Sequence, residues 1–200
     1  MIPVTKSFLP PLEEYLVYLQ EIWDSHQLTN NGALVRELEA RLKETLGVPH
    51  LFFISSGTIA LQIAIRALEL QSEIITTPFS YVATTSSLIW EGCQPVFVDI
   101  DPLTLCLDPD RIEAAITPQT SGILATHVYG IPCDVEKISA IARQYGLKVL
   151  SDAAPTFGGS YQGRSIAAYG DIAALSFHAT KLFHSIEGGM LIFKESGLKG

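Results

Sequence analysis

The segment LFFISSGTIALQIAIRALEL, residues 51–70, joins a short apolar run to a longer apolar stretch through a Ser-Ser-Gly-Thr turn. The run at 51–55 predicts a buried strand, and the spacing of apolar residues at 58–70 predicts a helix that follows it. The same alternation of short β-branched or apolar runs with helical patterns continues along the chain. It is typical of repeated βαβ units, and therefore of a mostly parallel sheet.

We expect an α/β protein in which a three-layer α/β/α arrangement is built on a mostly parallel, seven-stranded sheet. The six further strands are predicted at residues 74–77, 95–98, 122–125, 149–151, 173–176 and 190–193. The further helices are predicted at residues 82–90, 109–116 and 135–145, with Gly146 as the C-cap of the last. Residues 1–50 contain two amphipathic helical patterns, at 12–23 and 33–46. We expect this helical segment to pack on a large domain formed by residues 51–200.

The composition excludes several classes of partner. Hydrophobic residues make up 48% of the 200-residue chain and charged residues 17%, as in globular α/β proteins. The formal net charge of −8 disfavours nucleic acids and anionic membranes, since both are negatively charged. The N-terminus shows no signal-peptide pattern, and no apolar run approaches the roughly 20 residues that span a bilayer. We therefore expect a cytoplasmic protein.

The three cysteines, Cys93, Cys106 and Cys133, lie far apart and form no CxxC pair. Neither a zinc site nor a disulfide framework is predicted, so we expect reduced, partly buried thiols and no metal site. His127 and His178 each lie near a predicted strand end. Two separated histidines make a poor metal site, and we interpret both as structural or substrate-facing.

The segment Ser55-Ser56-Gly57-Thr58 lies where a predicted strand ends and a helix begins. Such a junction presents unpaired backbone N–H groups and the positive end of a helix dipole. Gly57 lets an oxyanion approach the backbone closely, so the segment predicts a phosphate seat. An ordinary N-cap is the alternative, because serine and threonine cap helices in every class of protein.

Three further residues carry chemistry at the ends of predicted strands: Tyr81, Asp152 and Lys181. A buried Asp152 needs a cationic partner, which a protonated pyridine nitrogen could supply, although such an aspartate can also cap a turn. The amine of Lys181, when neutral, forms an imine with an aldehyde, although most lysines are solvated surface residues. Tyr81 could stack on a flat ligand or pack in the core. Carboxyl ends of parallel strands share one sheet edge, so we expect these residues to meet the phosphate seat there.

The order of these motifs resembles that of fold type I pyridoxal-phosphate enzymes, and their amino-acid sequences resemble those of the DegT/DnrJ/EryC1/StrS sugar aminotransferases. The landmarks are SSGT at 55–58, TPFSYVAT at 77–84, PVFVDID at 95–101, HVYG at 127–130, SDAA at 151–154, SFHATK at 176–181 and EGG at 187–189. The resemblance implies pyridoxal 5'-phosphate as cofactor. Six residues are implied to contact it: Gly57, Thr58 and Ser176 at the phosphate, Tyr81 on the ring, Asp152 at the ring nitrogen and Lys181 as the Schiff-base lysine.

The resemblance also implies a reaction, in which glutamate supplies an amino group to a keto group of a nucleotide-linked deoxysugar. The SFHATK and EGG motifs look most similar to those of members that act on thymidine-diphosphate keto-6-deoxyhexoses, with amination at C3. A homodimer is implied as well, because members of the family complete the active site across a dimer interface.

Two features depart from the family pattern. Pro155 stands where members commonly have Gln or His able to bond the ring oxygen, a loss of about one hydrogen bond, of order 1 kcal/mol. Members also continue well beyond this length, so we expect the large domain to be incomplete and the small C-terminal domain to be absent. Two alternatives stay open: a catalytically silent truncated homologue, and another fold type I enzyme that acts on amino acids. Lys181 disfavours the family's sugar dehydratases, in which a histidine replaces the lysine.

Overall fold

The computed structural model describes residues 6–194, and the helices within them follow the predicted order. They are α1 (Leu12–Ser25), α2 (Ala33–Leu46), α3 (Gly57–Ala67), α4 (Val82–Trp90), α5 (Ile112–Ala115) and α6 (Val135–Tyr145). The helix predicted at 109–116 is divided into a 3₁₀ turn, Pro109–Arg111, and the short α5. Gly146 ends α6 in the left-handed conformation, with φ 67°, which confirms the predicted C-cap.

The strands confirm the predicted seven-stranded sheet. They are β1 (His50–Ile54), β2 (Glu73–Thr76), β3 (Gln94–Phe97), β4 (Thr120–Thr126), β5 (Lys148–Asp152), β6 (Ser160–Tyr161), β7 (Arg164–Ser165), β8 (Ile172–Ser176) and β9 (Gly189–Phe193). The sheet order is β1-β9-β8-β5-β4-β2-β3, and β9 runs antiparallel to both of its neighbours. The remaining pairs are parallel. The strands β6 and β7 form a separate small hairpin that the sequence pattern did not predict.

Apolar side chains alternate between the two faces of the sheet and build the predicted three layers. Ile74 and Leu124 pack with α3 on one face, in a cluster that also contains Ala64. Their chain neighbours Ile75 and Ile123 pack with α6 on the other face. Because both faces of the sheet are covered, the central strands consist of nearly continuous apolar runs.

The two N-terminal helices differ in how they pack. Leu42 and Leu46 of α2 are buried against strands β1, β8 and β9, whereas α1 has no buried residue. The segment before α1 contacts the loop between β8 and β9: Ser7 Oγ donates to the carbonyl of Ala179 at 2.6 Å, and His184 Nε2 donates to the carbonyl of Phe8 at 2.7 Å. None of the helices within residues 6–194 is long and apolar enough to cross a membrane.

Candidate active site

A cavity of about 410 Å³ opens at the carboxyl edge of the sheet. All six residues that the sequence assigned to a cofactor line it: Gly57, Thr58, Tyr81, Asp152, Ser176 and Lys181. A second cavity of about 400 Å³ adjoins it and shares Tyr81, Asp152, Ala154 and Lys181 with the first. The two cavities therefore form one cleft around an acid and an amine.

The anion seat is formed by the first turn of α3. Ser56 is the N-cap, and its Oγ accepts from the backbone N–H of Ile59 at 3.2 Å. The N–H groups of Gly57 and Thr58, which precede Ile59, have no carbonyl within the helix to bond. A Cβ added at Gly57 would lie 2.8 Å from Cβ of Ser176, so only glycine lets the end of β8 approach this closely. The seat thus combines backbone donors, a helix dipole and hydroxyl groups.

Asp152 at the end of β5 is 5% exposed. Its Oδ2 accepts from Thr84 Oγ1 at 2.6 Å, and its Oδ1 accepts from the N–H of Ala154 at 3.2 Å. Burial raises the pKa of Asp152, while the hydrogen bonds from Thr84 and Ala154 and the charge of Lys181 act to lower it. A carboxylate held in this way is suited to a cationic N–H donor. Thr84 was not singled out from the sequence.

Lys181 lies in the loop between β8 and β9 and is half-buried. Its own N–H donates to the carbonyl of His178 at 2.9 Å. Two backbone hydrogen bonds close the loop: the N–H of Phe177 donates to the carbonyl of Gly188, and the N–H of Ala179 donates to the carbonyl of Ile186, both at 2.8 Å. Because β9 returns directly beside β8, the loop is anchored at both ends and presents the amine to the cleft.

The ring of Tyr81 is free to meet a ligand. Tyr81 is the N-cap residue of α4 and is 76% exposed, which excludes the core-packing alternative. Tyr81 lines both cavities, as Asp152 and Lys181 do. An exposed ring at this position can stack on one face of a flat heteroaromatic group.

The two histidines have different environments. His127 is fully buried, its Nδ1 accepts from the N–H of Cys133 at 3.1 Å, and loss of hydration lowers its pKa to about 4. It is therefore a neutral, structural residue. His178 lines the cavity, with Nε2 at 3.6 Å from a carboxylate oxygen of Glu187. Glu187, the first residue of the EGG motif at 187–189, borders the site as well.

Two other features contribute no residue to the cleft. The three cysteines are buried, unpaired thiols. A separate groove of about 660 Å³ lies between the N-terminal segment, α1 and α2, but its lining is mostly apolar and includes none of the six predicted residues. The cleft at the sheet edge is the candidate site because charged and polar groups converge on it.

A mostly parallel sheet of this order, with an anion seat, a buried acid and a lysine at its carboxyl edge, defines the large domain of a fold type I aminotransferase. The chain belongs to the DegT/DnrJ/EryC1/StrS aminotransferase family, whose model matches residues 12–199.

Named relatives agree with this assignment. The chain is 50% identical over 196 residues to a dTDP-4-amino-4,6-dideoxy-D-glucose transaminase of Shigella dysenteriae, covering 98% of this chain and 53% of the relative. The structure of DesI in the presence of its TDP-sugar product matches with a TM-score of 0.91 and 36% identity, over 97% of this chain and 49% of that one. NtdA of Bacillus subtilis with bound cofactor PMP matches with a TM-score of 0.87 and 35% identity, over 94% and 42%. The chain thus spans about half the length of the relatives it matches.

The residues of the cleft fit the cofactor of this family. A phosphate group suits the free N–H groups at Gly57 and Thr58 and the close approach that glycine allows. The buried carboxylate of Asp152 favours a cationic hydrogen-bond donor, and the N–H of a protonated pyridine ring is such a donor. The amine of Lys181 stands in the same cleft, where an aldehyde could bond to it.

Proposed function

We propose that the protein is a pyridoxal-phosphate-dependent aminotransferase, which transfers an amino group from glutamate to a keto group of a dTDP-linked deoxysugar. The observation that carries the proposal is the convergence of Lys181 and the buried, doubly hydrogen-bonded Asp152 on one cleft with the anion seat of α3. The relation to the Shigella transaminase supports the substrate class.

Each predicted residue has a distinct task in this proposal. The N–H groups of Gly57 and Thr58, with the hydroxyl of Ser176, hold the phosphate, and Tyr81 covers one face of the ring. Asp152 keeps the ring nitrogen protonated, because a buried carboxylate favours a cationic partner. When bound, the cofactor supplies an electron sink for bonds broken at the amino-bearing carbon. Lys181 Nζ anchors the cofactor and, once released, carries a proton as general base or acid.

The named relative and the motif resemblance indicate different carbons as the position of amination. The name of the Shigella transaminase places an amino group at C4 of its sugar, whereas the resemblance in sequence implied C3. We propose C4, on the ground of 50% identity over 196 residues. A homodimer is part of the same proposal.

Cofactor binding is tested by an absorbance scan of the 200-residue chain with pyridoxal phosphate. We expect a visible band that is absent in Lys181→Ala and present in Lys148→Ala, whose lysine is exposed at the opposite end of β5. A colourless wild-type chain, or a band that survives in Lys181→Ala, contradicts the proposed role of the lysine.

Turnover is a separate measurement. The chain is incubated with glutamate and a dTDP-linked 4-keto-6-deoxyhexose, and the amino sugar is detected by mass spectrometry. The same reaction with a 3-keto substrate tests the position of amination. Cofactor binding without turnover on either sugar supports the silent-homologue alternative, whereas conversion of amino acids alone supports the fold type I enzyme of amino-acid metabolism.

A further inference from the structure

Thr84 is a buried polar residue beside the cleft with no part in the roles described so far. It lies in the first turn of α4 and is 0% exposed. A threonine hydroxyl inside a helix commonly bonds a carbonyl of the preceding turn. In this protein it reaches across to the sheet instead, and donates to Oδ2 of Asp152 at 2.6 Å.

The bond donated by Thr84 favours the ionised form of Asp152. A hydroxyl group has one proton to donate, and an ionised carboxylate can only accept. The N–H of Ala154 donates to the other oxygen at 3.2 Å, so α4 and the loop after β5 each supply one donor. The plane of the carboxylate is therefore fixed from two sides, and each oxygen keeps a lone pair for a third donor from the cleft.

We infer that Thr84 is a positioning residue that holds Asp152 ionised and oriented toward the protonated nitrogen of a pyridine ring in the cleft. The inference rests on the proposed function. Among the influences that lower the pKa of Asp152, the Thr84 bond is the largest, and it opposes the rise caused by burial. The N-terminal dipole of α4 acts in the same direction. Without the hydroxyl group, Asp152 takes up a proton at higher pH and no longer pairs with the ring N–H.

The test compares two ligands and two variants of the 200-residue chain. The ligands are pyridoxamine 5'-phosphate, which has no aldehyde and so forms no imine with Lys181, and its deaza analogue, in which carbon replaces the ring nitrogen. Thr84→Val keeps the shape of the side chain and removes the donor, whereas Thr84→Ser keeps the donor. Dissociation constants are measured by fluorescence quenching from acidic to neutral pH.

We expect Thr84→Val to weaken binding of pyridoxamine phosphate about tenfold, the effect of one hydrogen bond to a charged group. Binding of the deaza analogue should not change, and Thr84→Ser should behave like the wild-type chain. The acidic limb of the binding profile should move to higher pH in Thr84→Val. If that variant does not fold, Thr84→Ala, which leaves no methyl group against the carboxylate, allows the same comparison.

Two outcomes overturn the inference in distinguishable ways. If Thr84→Val weakens both ligands equally, or neither, the hydroxyl is not coupled to the ring nitrogen, and only the role of Thr84 is lost. If the wild-type chain binds neither ligand, the proposed function fails, and the role of Thr84 fails with it.

Discussion

The backbone of Gly189, the first residue of β9, passes very close to the turn that begins α3, and replacing Gly189 with alanine tests this close crossing. The added Cβ would lie 2.3 Å from the carbonyl oxygen of Ser56, 2.4 Å from its carbonyl carbon and 2.7 Å from N of Gly57. Carbon atoms in ordinary contact are about 3.5–4.0 Å from their neighbours, so β9 and the turn must separate by about 1 Å. The obstructing atoms are backbone atoms and cannot rotate away.

We expect Gly189→Ala to lower the free energy of unfolding by about 3 kcal/mol, at the upper end of the cost of overpacking. For a chain of this size the melting temperature should fall by about 6–12 °C. Urea denaturation followed by circular dichroism measures the change. A suitable control is Gly32→Ala, because its Cβ would meet nothing nearer than Gln27 at 3.6 Å, and a loss below about 1 kcal/mol is expected. If Gly189→Ala has the denaturation midpoint of the wild-type chain, the close crossing is refuted.

Two further predictions concern the cap of α3 and the buried histidine. Ser56→Ala removes the acceptor for the N–H of Ile59 and should cost about 1 kcal/mol of stability in urea denaturation, with weaker binding of inorganic phosphate. Burial lowers the pKa of His127 from 6.5 to about 4, so between these values the unfolded chain binds a proton that the folded protein does not. Stability should therefore decrease as the pH falls through this range, by up to about 3 kcal/mol. His127→Asn, which keeps an acceptor for the N–H of Cys133, should remove this part of the pH dependence; an unchanged pH profile would contradict the assignment.

The strands of the large sheet were predictable because each is a short apolar run bounded by turn residues. The direction of β9 could not be predicted in this way. An apolar run such as residues 190–193 has the same pattern in a parallel and in an antiparallel strand. The loop of residues 177–188 contains no helical pattern, and this was the available signal against a parallel crossover. The hairpin of β6 and β7 escaped prediction because strands of two residues are too short to show a period.

Gly57, Thr58, Tyr81, Asp152 and Lys181 could be placed at one sheet edge from their positions after predicted strands, whereas Ser176 was implied only by the family resemblance. Thr84 could not be predicted, since it is one of two adjacent threonines in α4, and only the packing of the helix on the sheet decides which of them meets Asp152. The position of Glu187 near His178 depends likewise on the folding of the loop between β8 and β9. Contacts between side chains from distant elements follow from tertiary geometry, which local patterns do not contain.

The contacts of Ser7 and Phe8 have a practical consequence for recombinant work. Their partners, Ala179 and His184, stand on either side of Lys181 in the chain. A change at Ser7 or Phe8 therefore acts first on the turn that carries the amine, and not on the sheet. Kinetic comparisons between variants therefore require a common N-terminus, so that these two contacts are the same in every preparation.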